Sequence, residues 1–205
     1  AFLVVHSLYK AALFLMIGIV DHETGTREAD RLRGLGRKMP LTFLGGALAA
    51  ISMAGIPPFV GFIGKEFLYK AGLGHEQATI WITGTIFAAS VLMFVAAGIA
   101  VLRPFTGKLA DADTPQAPHE GPWAMWIGPI ILGVFSLGFG LFPDTVEAWL
   151  VAPGTWAVYG DYDYTVDLYL FREVNAAFLL SLATFATGAL LYTVHRPMRD
   201  RKSVV

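Results

Sequence analysis

The sequence predicts an all-α, polytopic membrane protein with about five transmembrane helices, the second of them discontinuous at Gly55–Pro58. Composition is the first reason: of 205 residues 55% are hydrophobic and only 15% charged, against about a quarter charged in soluble domains, and mean hydropathy is +0.57. Periodicity is the second. Apolar residues gather into five stretches, near 1–20, 41–73, 78–103, 122–142 and 174–195, and roughly 20 apolar residues in helix cross a hydrocarbon core of about 30 Å. The third is the length of the second stretch. At about 1.5 Å per residue it would form a rod of roughly 50 Å, too long to cross unbroken, and Gly55-Ile56-Pro57-Pro58 supplies the break.

The first stretch carries Lys10 near its middle and His6 four residues earlier on the same helical face. A lysine at the centre of a membrane helix costs about 2.5–3.5 kcal/mol to insert, so such residues generally face a bundle interior or a hydrated path. The stretch ends in Asp21-His22-Glu23, and Thr24-Gly25-Thr26-Arg27 reads as a turn that anchors the basic loop 27–38. In the second stretch Pro57 and Pro58 have no N–H to give, so the carbonyls of Met53 and Ala54 lose their i+4 donors, and Ile56 is pushed out of helical conformation. Lipid does not tolerate such carbonyls; this backbone is expected to be covered by protein or to line water. Lys65 follows about two turns later, and a broken helix with an ionisable group beyond the break is how transporters place ions near the midplane. Glu66 and Lys70 stand four apart with the acid first, the favourable order for an ion pair. With Tyr69 they form either a structural or inter-subunit pair near the outer edge or a secondary path for protons.

The third and fourth stretches are apolar throughout. Residues 143–173 mix acids with Trp149, Trp156, Tyr159, Tyr162, Tyr164 and Tyr169, as expected of an interfacial segment; 174–205 reads as a further transmembrane helix with a basic tail. When the helices are threaded alternately through a bilayer, eleven of the fifteen cations fall on one side: Arg27, Arg31, Arg33, Arg37, Lys38, Arg103, Lys108, Arg196, Arg199, Arg201 and Lys202. By the positive-inside rule that side is cytoplasmic and the acidic 143–173 segment lies outside; the outer side carries Glu76, Asp161 and Asp163 among its acids and Arg172 as its cation.

Several functions drop out. A soluble enzyme does not have this composition, and a net charge of −1 with no basic groove argues against nucleic acid. No cysteine is present, which removes disulfides and thiolate metal sites. His119 and His195 show no metal-ligand spacing and read as surface residues, so neither metal nor cofactor is expected. No nucleophile–base set or phosphate loop suggests covalent chemistry. What remains is movement of charge across a membrane. An unperturbed lysine is too basic to exchange protons near neutrality, and burial or a second ammonium is what makes one usable.

These residues resemble the antiporter-like subunits shared by respiratory complex I, membrane-bound hydrogenases and Mrp-type sodium/proton antiporters. His6-Ser7-Leu8-Tyr9-Lys10-Ala11-Ala12-Leu13-Phe14 is similar to the family's late histidine/lysine helix, and Gly55 to Glu66 to its broken helix with a terminal lysine. Asp21 to Arg27, Arg33-Gly34-Leu35, Met39-Pro40 and His119 to Trp123 look most like the large (A) subunit of the Mrp type. The resemblance implies that residues 1–142 are the last four helices of an antiporter-like core. It implies that Lys10 relays protons with help from His6, and that Lys65 ends the path at the outer side. The expected setting is a multi-pass protein of a bacterial or archaeal cell membrane, partnered by other subunits and exchanging sodium, or another monovalent cation, for protons. The same fold driven by a redox module and a non-transporting scaffold are the alternatives. The family's earlier glutamate, middle lysine and first broken helix are not in the sequence, and the chain is read as a piece of something longer that cannot transport alone.

Overall fold

The computed structural model describes residues 2–29, 31–75, 77–107, 114–160, 167–171 and 173–200, with side chains described as far as 194. The readings that rest on Lys108, Arg172, Arg201, Lys202, Glu76, Asp161, Asp163, Tyr162 and Tyr164, and on the side chains of His195, Arg196 and Arg199, lie outside the described residues.

All regular structure among the described residues is helical. Helices α1 (Phe2–Thr24), α4 (Thr79–Phe105), α5 (Trp123–Leu141) and α8 (Ala176–Asp200) are the long ones, and each holds a stretch apolar and long enough to cross a membrane. The second stretch of the sequence is two shorter helices, α2 (Pro40–Ala54) and α3 (Val60–Leu73), on either side of the proline break. Within the segment 143–173, read as interfacial, residues 143–159 form short helical turns: α6 (Pro143–Val146), a π turn (Glu147–Val151) and α7 (Ala152–Tyr159). Proline at a first helical position explains the start, since its missing N–H is not needed there.

Helix α2 is central, packing on α5, α1 and α4, while α8 lies against α4 and α3. Within a bilayer apolar burial does not drive helices together, so close approach of small residues must. A Cβ on Gly45 would stand 2.7 Å from Pro129 Cβ, and one on Gly133 would stand 2.6 Å from Leu48 Cβ; α2 and α5 touch there almost backbone to backbone. Gly188 on α8 makes the same approach to the Phe94 ring on α4.

At the end where α1 finishes and α2 begins, the turn after α1 forms as the sequence predicts. Gly25 adopts φ 70°, its N–H donates to the Asp21 carbonyl at 2.9 Å, and Arg27 pairs with Asp21 at 2.8 Å. The linker before α5 then ties two helices together. The Glu120 carboxylate accepts the Leu41 N–H at 2.7 Å and the Thr42 N–H at 3.3 Å, as well as the Thr42 hydroxyl, and so caps the N-terminus of α2 from 78 or 79 residues away. This satisfies orphan donors and sets a negative charge at the positive end of the helix. His119 is exposed, as expected, but it is not idle: its Nδ1 lies 3.0 Å from the buried Glu23 carboxylate, which also meets His22 at 3.0 Å.

Candidate functional site

The break in the second stretch is built residue by residue from its own sequence. Gly55 takes φ 70° and ends α2; its N–H donates to the Ser52 carbonyl at 2.9 Å, and the Ile56 N–H donates to the Ile51 carbonyl at 3.1 Å. These two bonds are the pair that closes a helix on a left-handed glycine. Pro57 and Pro58, joined by a cis peptide bond, then lead to Phe59, from which α3 starts. Two glycines let neighbouring backbone reach this point. A Cβ on Gly61 would lie 1.8 Å from the Ser52 carbonyl oxygen, and one on Gly140 of α5 would lie 1.9 Å from the Pro58 carbonyl oxygen.

Lys65 turns back toward the break. Its ammonium donates to the Ala54 carbonyl at 3.5 Å, a long contact to one of the two carbonyls that the prolines leave without a helical donor. It also sits 3.7 Å from the centre of the Phe185 ring on α8, and Gly55 leaves room for it, since a Cβ there would be 2.9 Å from Lys65 Nζ. The side chain is 6% exposed. Its charge is therefore held by the negative C-terminal end of α2 and by an aromatic face, with no carboxylate needed.

Lys65 lines a cavity of about 250 Å³ that runs between α1, the break, α3 and α4; its wall is mostly apolar, with Phe2 and Met93, and Tyr9, Ser52 and Ser90 are its other polar lining residues. Ser52 is further fixed by Ser136 of α5, whose hydroxyl donates to it at 2.6 Å, both side chains being buried. On α1 the buried Tyr9 hydroxyl and His6 Nδ1 are 2.7 Å apart, with the two rings edge to face at 5.2 Å.

Lys10 is not part of this wall. It is half-buried on a face of α1 with Leu3, Ser7 and Phe14, of which Leu3 is 80% and Phe14 69% exposed, and it has no hydrogen bond, ion pair or ring contact among the described residues. The partner of His6 is Tyr9, three residues on, and not Lys10, with which it shares a helical face by spacing.

Glu66 and Lys70 do pair, at 3.5 Å. Lys70 also meets the hydroxyl of Tyr169 and lies 4.1 Å from the centre of its ring, which brings the segment after α7 onto α3. Tyr69 points elsewhere, to Thr184 on α8, at 2.6 Å between hydroxyls. Thr184 spends its own proton on the Leu180 carbonyl at 2.8 Å, so Tyr69 is the donor; it links α3 to α8 and stands apart from the Glu66–Lys70 pair. Among the described residues no group of three or more histidine or acidic side chains is arranged to hold a metal ion.

Tyr9, Ser52, Ser136 and Phe185 belong to this site without having been picked out as site residues in the sequence. Tyr9 had a signal, because i and i+3 are neighbours on a helix. Ser136 and Phe185 had none, since their contacts cross 84 and 120 residues of chain.

Four helices long and apolar enough to cross a membrane and a lysine buried behind a helix break define the class: an all-helical, polytopic membrane protein. Residues 1–101 match the family described as NADH:quinone oxidoreductase/Mrp antiporter, TM. It is 36% identical over 197 residues to the A1 subunit of the Na(+)/H(+) antiporter of Staphylococcus haemolyticus, covering 92% of this chain and 24% of that protein. To the A subunit of the Na(+)/H(+) antiporter of Alkalihalophilus pseudofirmus it is 34% identical over 204 residues, covering 93% and 25%. Among solved structures the Mrp complex from a Dietzia species superposes with a TM-score of 0.76 at 29% identity, over 98% of this chain and 22% of the matched chain. The chain thus spans about a quarter of the length of the curated relatives it matches.

Proposed function

We propose that the chain is part of a secondary cation/proton antiporter subunit, in which it supplies the outer half of a transmembrane proton path in a multisubunit sodium/proton exchanger. The observation that carries this reading is Lys65, buried at a helix break with its ammonium on the freed Ala54 carbonyl and on Phe185 rather than on an acid. An ammonium held without a carboxylate can lose its proton without stranding a buried negative charge, which suits a group that loads and unloads. Its partners are the other subunits of the exchanger, protons, and sodium or another monovalent cation; no covalent chemistry is involved. Residues 1–142 serve as the end of the transporting core, 143–173 as an outer interfacial segment and 174–205 as an added transmembrane helix. The basic loops face the cytoplasm of a bacterial or archaeal cell.

Lys10 and His6 feed the path from the inner side, and Glu66 with Lys70 forms an ion pair at its outer edge. Exchange is favoured over a redox-driven pump because the curated relatives described above carry antiporter names along more than nine-tenths of this chain. The test is sodium-dependent proton exchange in everted vesicles holding the whole complex with Lys65→Ala at matched assembly. The expected result is a loss of at least about a hundredfold, the scale on which a positioned proton-transfer group acts. Exchange that persists across pH makes Lys65 a packing residue and the chain a scaffold.

A further inference from the structure

A buried tyrosine hydroxyl in a membrane helix needs a partner, and Tyr9 finds it one turn away on its own helix. The side chain is shared between two places. Its hydroxyl is 2.7 Å from His6 Nδ1, and the residue also forms part of the wall of the cavity that Lys65 lines. Histidine and tyrosine can bond in either sense: Nδ1 donates to Oη when it carries the proton, and accepts from Oη when it does not. The cavity, about 250 Å³, exceeds several times the roughly 30 Å³ that a water molecule occupies, and Tyr9, Ser52, Ser90 and Lys65 are the polar residues of an otherwise mostly apolar wall.

We infer that Tyr9 is a proton-relay residue, passing protons between His6 and Lys65 through this cavity. This rests on the reading of Lys65 as a proton-path group. The step balances without ionising the phenol. With His6 as the imidazolium, its Nδ1 proton moves to Tyr9 Oη as the proton already on Oη leaves to cavity water, and that water's proton goes to the neutral Lys65 amine; His6 ends as a neutral imidazole and Lys65 as an ammonium. One proton has moved, Tyr9 is neutral before and after, and rotation of its O–H resets it; the reverse sequence carries a proton the other way. Lys10, which does not line the cavity, is then upstream of His6 and takes no direct part in loading Lys65.

Tyr9→Phe tests this, because it removes one oxygen and keeps the ring. In everted vesicles with the whole complex at matched assembly, sodium-dependent proton exchange is expected to fall about tenfold or more, as for loss of a proton-transfer group. The His6→Ala, Tyr9→Phe double variant is expected to be no worse than the poorer single variant, since both act in one series. Tyr9→His, whose ring carries an exchangeable proton, should recover part of the exchange that Tyr9→Phe loses. A merely structural tyrosine reverses that order, with phenylalanine tolerated and histidine not, and this overturns the inference even where one of the variants fails to assemble. Lys65→Ala run alongside separates the two claims. Exchange lost in Lys65→Ala but normal in Tyr9→Phe overturns Tyr9 alone, whereas normal exchange in both overturns the proton-path reading and this inference with it.

Discussion

Lys65 and Lys10 are both lysines within apolar stretches, and their surroundings differ at every point. Lys65 lies behind a helix break, with a backbone carbonyl, an aromatic ring and a glycine shaped around its ammonium. Lys10 lies on an unbroken helix, half-buried beside Leu3 and Phe14, which are largely exposed. An isolated charge in hydrocarbon is costly, and only the first lysine has its cost offset within the described residues. Breaking a helix is itself expensive, because it frees carbonyls in a medium with nothing to bond them. In α2 and α3 the two costs meet and offset one another: the freed carbonyl is what the ammonium needs. That is why one lysine can be sealed away by this chain and the other cannot.

The largest expected effect comes from forcing the two halves of the break apart. Gly61→Ala places a methyl group 1.8 Å from the Ser52 carbonyl oxygen, a backbone atom that can move only if α3 shifts off the end of α2. The cost is expected at about 3 kcal/mol or more, the upper part of the range for overpacking. Gly18→Ala is the matched change on the Lys10 side, where a Cβ meets nothing within 4 Å. Assembly of the complex, followed by size-exclusion chromatography after mild detergent extraction, is expected to fail for Gly61→Ala and survive for Gly18→Ala. Survival of both would mean that the break is not tightly packed. Failure of both would mean that the Lys10 face is itself covered in the full assembly.

What was legible in the sequence follows the same division between near and far. The break could be read from four consecutive residues, because proline's missing N–H and glycine's left-handed φ act locally, and even the orphaned Ala54 carbonyl follows from Pro58. That Lys65 would meet that carbonyl could not be read, since ten residues of unknown direction lie between them. Glu120 looked like one residue of a loop, yet it caps α2; nothing in Pro40-Leu41-Thr42 announces a cap that arrives from another linker. His6 and Lys10 share a helical face by spacing, but which neighbour His6 bonds was decided by Tyr9 being buried beside it. Periodicity locates helices and charges; it carries no information on which two distant turns touch.

The comparison sharpens if Lys10 alone is neutralised. Lys10→Leu removes an ammonium from near the middle of α1, worth about 2.5–3.5 kcal/mol in apparent insertion free energy at a helix centre. A glycosylation-reporter insertion assay on α1 is expected to show that gain, while exchange by the whole complex falls because the path has lost its inner group. Better insertion with unchanged exchange would leave Lys10 only the task of orienting α1. No gain in insertion would mean that its side chain already reaches the interface, as long lysine stems can.

The smallest expected effect tests the other lysine's hold. Phe185→Leu keeps an apolar side chain of similar bulk but removes the ring face 3.7 Å from Lys65 Nζ. A cation–π contact away from water is worth about 2 kcal/mol, and Leu recovers part of the packing, so the net loss is expected at about 1 kcal/mol. Thermal unfolding of the assembled complex should drop by a few degrees, and Lys65 should become more reactive toward a small membrane-permeant amine reagent. Lowered stability without raised reactivity would show that Phe185 only fills space between α3 and α8, leaving the α2 terminus as the sole counterpart of the Lys65 charge. Raised reactivity together with lowered stability would put the ring beside the broken helix as the second of two neutral groups that hold a cation with no acid paired to it among the described residues.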